Sequence, residues 1–109
     1  MTAGREAFNR GEFYEAHEFW EEVWNEIDDP ERTWVQGMIQ IATGLHKLTR
    51  DRADVCQTLL ERALSKLEGS RPVLDGIDVA SARSDAGALL AALRRGERPD
   101  ARSVGLKVV

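Results

Sequence analysis

The chain has 109 residues and a formal net charge of −4 at pH 7, a length that suits one domain. The acidic balance excludes nucleic acid as a general partner, because phosphate binding needs clustered Lys and Arg. The single cysteine, Cys56, excludes an internal disulfide and fits a reducing compartment. No apolar run follows a basic start, and no stretch approaches the roughly 20 apolar residues of a membrane span. The expectation is therefore a soluble cytoplasmic protein without a membrane partner.

Five helical segments follow in chain order. Thr2 is expected to cap a short first helix that Gly11 ends in a left-handed conformation. The second helix runs from about residue 12 to 27, with Phe13, Ala16, Trp20, Trp24 and Ile27 recurring at helical spacing as a buried stripe. Asp29 caps a third helix, with Pro30 at its first position and Glu31 facing the positive end of its dipole. This helix, reaching about residue 49, is the most apolar of the set and should be central.

A fourth helix starts near Asp51, carries Val55, Cys56, Leu59, Leu60, Ala63, Leu64 and Leu67, and closes at Gly69 and Pro72. Cys56 on that stripe reads as a small hydrophobe. Residues 72–77 read as a loop, with Asp78 capping a fifth helix that ends at Gly96 and Pro99. The expected fold is an all-α, compact bundle of four to five helices with short antiparallel connections. Residues 1–96 form its single domain. Residues 97–109 form a C-terminal tail, extended on the bundle or frayed.

On a helical wheel of about 100° per residue, Tyr14, His17 and Glu21 border the apolar stripe of the second helix, and Glu15, Glu18, Glu22 and Glu26 face away from it. His17 and Glu21 stand at (i, i+4) and point the same way. Such a pair suits a polar brace inside the bundle, a carboxylate orienting an imidazole, or two ligands offered to one metal. The brace is the favoured reading. If Glu21 is buried, replacing His17 by Ala should cost about 1–3 kcal/mol by leaving the carboxylate unpaired.

A second polar strip, Gln36, Gln40, Thr43 and Lys47, lies on the third helix beside Gly37 and Gly44. The two glycines imply close approach of another helix. If the second helix packs there, Gln36 and Gln40 approach His17 and Glu21; otherwise the strip faces water. His46 falls on the apolar side and reads as a satisfied core histidine. The chain contains no H-E-x-x-H, C-x-x-C or glycine-rich phosphate loop.

The run Phe8-Asn9-x-Gly11-x-Phe13-Tyr14-Glu15-Ala16-His17-Glu18-x-x-Glu21-x-x-Trp24, followed by Gln36-Gly37-x-Ile39-Gln40-x-Ala42 and His46, resembles the family catalogued as domain of unknown function 309. The likeness extends over about residues 7–95. It implies a small prokaryotic helical bundle and carries no reaction with it.

The resulting expectation is a binding or interaction module around a seam of Tyr14, His17, Glu21, Gln36 and Gln40, with a small polar ligand and no cofactor. The alternative is a metal-dependent or His–Glu general-base hydrolase, with a divalent metal ion drawing on His17, Glu21 and His46. The three tryptophans and the Val/Leu tail also suit a homo-oligomer.

Overall fold

The computed structural model describes all 109 residues. Helix α1 spans Thr2–Asn9, α2 Phe13–Trp24, α3 Glu31–Thr49, α4 Ala53–Leu67 and α5 Val79–Arg94. A two-stranded antiparallel ribbon, β1 (Val73–Leu74) and β2 (Ile77–Asp78), precedes α5, and a 3₁₀ turn covers Ala101–Ser103. The fold is thus an all-α bundle with one small ribbon, and no helix is long and apolar enough to cross a membrane.

Helix α3 sits at the centre, packing most extensively on α4 and then on α2. Val35, Met38, Ile41, Ala42 and Leu45 are buried almost completely along it. The glycines on α3 set the distance to α4. A Cβ at Gly37 would lie 2.8 Å from Leu67 Cγ and 3.2 Å from the Ala63 carbonyl oxygen, whereas one at Gly44 would meet Leu59 Cβ at 3.4 Å. Since Gly37 opposes Leu67 and Gly44 opposes Leu59, the two helices run antiparallel. These glycines serve α4 and do not draw α2 inward, contrary to what their place beside the polar strip suggested.

At the other end of the core, Trp20 is fully buried. Phe8 stacks on it at 5.8 Å between ring centroids, and Phe13 meets Phe8 edge-on at 5.0 Å. A side chain at Gly4 would overlap the Trp20 indole, so the first helix can cross α2 here only with glycine at that position. The indole N–H donates to the Met1 carbonyl at 3.3 Å.

Several helix ends differ from the sequence reading. Thr2 lies inside α1 and caps nothing; Met1 precedes the helix without a side-chain cap. Helix α2 stops at Trp24, although Ile27 still packs against the core. Asp29 performs its capping task one residue further out than expected, accepting from the Thr33 amide at 3.1 Å and the Thr33 hydroxyl at 2.6 Å. Helix α4 begins at Ala53, because Asp51 takes a left-handed conformation at φ 62° and ends the preceding turn. Gly11 adopts φ +82°, as a stop after α1 requires. Asp78 caps α5, accepting from the Ser81 amide at 2.9 Å, a contact of a type that contributes about 1 kcal/mol.

Residues 72–77, read as a loop, instead form the ribbon, whose Asp75-Gly76 turn places both residues at positive φ. The C-terminal segment then lies along β2. Lys107 accepts from the Asp78 amide at 2.9 Å, Val109 donates to Gly76 at 2.9 Å, and Ile77 bridges to Val108. Val104 and Leu106 are buried against the core. The Asn9 side chain grips the same segment, donating to the Leu106 carbonyl at 2.8 Å and accepting from its amide at 2.9 Å. The Arg102 guanidinium donates to the Arg10 carbonyl. The last residues thereby join α1 to the ribbon.

Candidate functional site

The polar border of α2 takes shape around Tyr14. Its ring is 48% exposed, because Phe13 and Ala16 turn inward and leave position 14 at the rim. The His17 imidazole lies 5.1 Å and the His46 imidazole 5.4 Å from the Tyr14 ring between centroids, with the planes tilted by 58° and 54°. One histidine comes from α2 and the other from α3, so the packing of these two helices builds the group. Together with Thr43 and Lys47, the three rings line an open cleft of about 220 Å³.

Both nitrogens of His17 are engaged. Nδ1–H donates to the Tyr14 carbonyl at 2.9 Å, and Nε2 lies 3.1 Å from Glu21 Oε1. A neutral imidazole carries one N–H, so both contacts become hydrogen bonds only in the imidazolium form. The His17 side chain is 18% exposed, but that of Glu21 is 54% exposed. The pair therefore lies at the surface and is not the buried brace the wheel suggested. An exposed (i, i+4) pair contributes about 0.3–0.5 kcal/mol, well below the cost of an orphaned buried carboxylate.

His46 is the less constrained ring. It is half-buried in the cleft rather than sealed in the core, and its nitrogens make no hydrogen bond. Burial pushes its pKa below the usual imidazole value. Arg50, Lys47 and His17 push the same way, and Glu15 opposes them. The Thr43 hydroxyl donates to the Ile39 carbonyl at 2.9 Å, leaving its oxygen lone pairs toward the cleft as its only further capacity.

The seam expected from sequence divides here. Tyr14 and His17 line the cleft and Glu21 flanks it through His17, while Gln36 and Gln40 are absent from its lining. Both glutamines are half-buried on α3, and Gln40 Oε1 is enclosed without a hydrogen-bond partner. Thr43 and Lys47, the lower half of the same strip, take their place. The missed signal was His46, one turn from both Thr43 and Arg50. Treating it as core separated it from the strip it belongs to.

No group of three or more His, Cys, Asp or Glu side chains is placed to hold a metal ion. His17 and Glu21 remain a pair, without a third such side chain grouped with them. Burial pushes the Cys56 thiol up to about 11, consistent with a core position. A larger, more open groove of about 630 Å³ is lined by Phe13, Leu48, Asp51 and residues 98–102. There Arg98 pairs with Asp51 at 3.0 Å.

The family model "Domain of unknown function (DUF309)" matches residues 1–59. The chain belongs to the DUF309 family. The matched region holds α1 to α3 and the first half of α4, so every residue that lines the cleft lies inside the DUF309 match. The likeness expected to about residue 95 is matched only as far as residue 59, so the ribbon and α5 lie outside the match. Among curated proteins, none matches this DUF309 chain.

Proposed function

We propose that the chain is a ligand-binding module whose site is the cleft of Tyr14, His17, Thr43, His46 and Lys47. The observation carrying this reading is that two helices each bring an imidazole next to one exposed tyrosine ring, at 5.1 and 5.4 Å between centroids. Core packing does not require that arrangement, because all three rings stand outside the buried cluster. An exposed aromatic ring with convergent polar groups around a concavity is the common form of a small-molecule site. The volume, about 220 Å³, lies below the roughly 300–1,000 Å³ typical of drug-sized ligands, so the ligand is small.

The hydrolase alternative has weaker support. A general base needs a free nitrogen within reach of substrate, and both nitrogens of His17 are engaged. His46 has free nitrogens but no carboxylate hydrogen-bonded to orient it.

Histidine side-chain NMR spectra, followed during addition of a panel of small neutral, cationic and anionic polar compounds, test the module reading. Saturable shifts at both His17 and His46 with at least one compound are expected. A panel that moves neither ring overturns it.

A further inference from the structure

Resting on that reading, we infer that the cleft recognises a small oxyanion, a carboxylate or phosphate group, held by Lys47 and His46 with Tyr14 as its side wall. The lining holds no carboxylate, and its groups with donors to spare are Lys47, the His46 imidazole and the Tyr14 hydroxyl, since Thr43 donates to Ile39 and both His17 nitrogens are engaged. The surrounding charges point the same way. Neither Lys47 nor Arg50 enters an ion pair, a trait they share with other Lys and Arg of the chain, but these two lie beside the cleft. Lys47 follows His46 in the last turn of α3, and Arg50 is the residue just after the helix.

On a chain with net charge −4, two unpaired cations beside an unpartnered imidazole form a local reversal of sign. Glu21, the carboxylate next to the cleft, is tied to His17 Nε2. Glu15 is the one carboxylate that acts on His46 from α2. Lys47 and Arg50 outnumber it.

Size narrows the ligand further. A cleft of about 220 Å³ has room for an oxyanion with a short substituent. A lysine is a point charge that accepts either anion geometry, so carboxylate and phosphate remain the two sources of one chemistry.

Proton linkage gives an independent readout. Burial first, then Arg50, Lys47 and His17, hold His46 toward its neutral form and Glu15 opposes them, so a bound anion adds a charge that favours protonation. Acetate keeps one charge from pH 6 to 8, hence its binding should tighten as pH falls and should take up a proton.

The test is NMR titration of the histidine and Lys47 signals with acetate and, separately, inorganic phosphate, at constant ionic strength in chloride. Tetramethylammonium and glucose serve as cationic and neutral controls. Expected are saturable shifts at His46 and Lys47 with acetate or phosphate and none with the controls. Whichever anion binds more tightly identifies the source.

Lys47→Gln should weaken binding at least tenfold and Lys47→Arg should restore most of it, with an unchanged melting curve showing that both variants fold. Saturation by tetramethylammonium or glucose instead would overturn the anion assignment while leaving the binding cleft standing. Absence of any saturable shift with either anion, or full affinity in Lys47→Gln, would overturn the assignment as well.

Discussion

Helix α3 has two unlike sides. Toward α4 it presents Gly37 and Gly44, and the helices close until a single added methyl would touch Leu67 or Leu59. Toward α2, near its C-terminal end, it presents Thr43, His46 and Lys47, which line a solvent-open cleft with Tyr14 and His17. The same helix thus makes a closed contact by removing side chains and an open one by placing polar side chains. Closure fixes the bundle, and the opening leaves groups free for chemistry.

The closed side breaks most readily. Gly37→Ala places a methyl 2.8 Å from Leu67 Cγ and 3.2 Å from the Ala63 carbonyl oxygen, and Leu67 is fully buried with nowhere to move. Overpacking of this kind costs about 1–3 kcal/mol. Gly44→Ala meets its nearest neighbour at 3.4 Å, an ordinary contact. There the gain in helix propensity, about 1 kcal/mol for alanine over glycine, should dominate. Both variants receive that propensity gain, so urea denaturation should separate them by about 1–3 kcal/mol, with Gly44→Ala the more stable. Equal midpoints would show that the close approach at Gly37 is not what sets the α3–α4 distance.

On the open side the expected loss is smaller. His17→Ala removes an exposed pair with Glu21 and a hydrogen bond to the Tyr14 carbonyl. Glu21 stays solvated, so no buried charge is orphaned and the cost should be near 0.5–1 kcal/mol. A loss of 3 kcal/mol in the same urea experiment would restore the buried-brace reading and close the cleft as a binding site.

The difference between these sides also explains what the sequence made legible. Core stripes and stops could be read because burial imposes a period and because Gly11, Gly69 and Asp78 leave chemical signatures at helix ends. The partner of each face could not. Gly37 and Gly44 announced a close contact, but periodicity does not say whether α2 or α4 makes it. His46 looked apolar-side on the wheel, but whether that position meets core or cleft depends on how α2 and α3 pack, which is a property of two helices together. Asn9 was equally opaque: its bidentate grip on Leu106 spans 97 residues and has no local pattern. The ribbon at residues 73–78 is too short to show alternation, and its register depends on the C-terminal segment pairing beside it.

The smallest effect sharpens the comparison most, because it reads the open side without disturbing packing. His46 has a folded-state pKa below the usual 6.5, set first by burial and then by Arg50 and Lys47. Between that lowered value and 6.5 the unfolded chain binds more protons than the folded one, so stability rises with pH across this window. The contribution is fully present above about pH 6.5 and is lost as pH falls through the folded value. Other groups titrate on the acid side too, so the informative quantity is the difference between wild type and His46→Gln, measured by denaturation in chloride buffer at pH 5, 6 and 7.5. Wild type should lose more stability than the variant between pH 7.5 and 5. Identical slopes would mean that the ring is as well solvated folded as unfolded, and that the cleft does not hold His46 in an electropositive setting. A steeper slope in the variant would reverse the sign and place Glu15, not Lys47 and Arg50, in control of the ring.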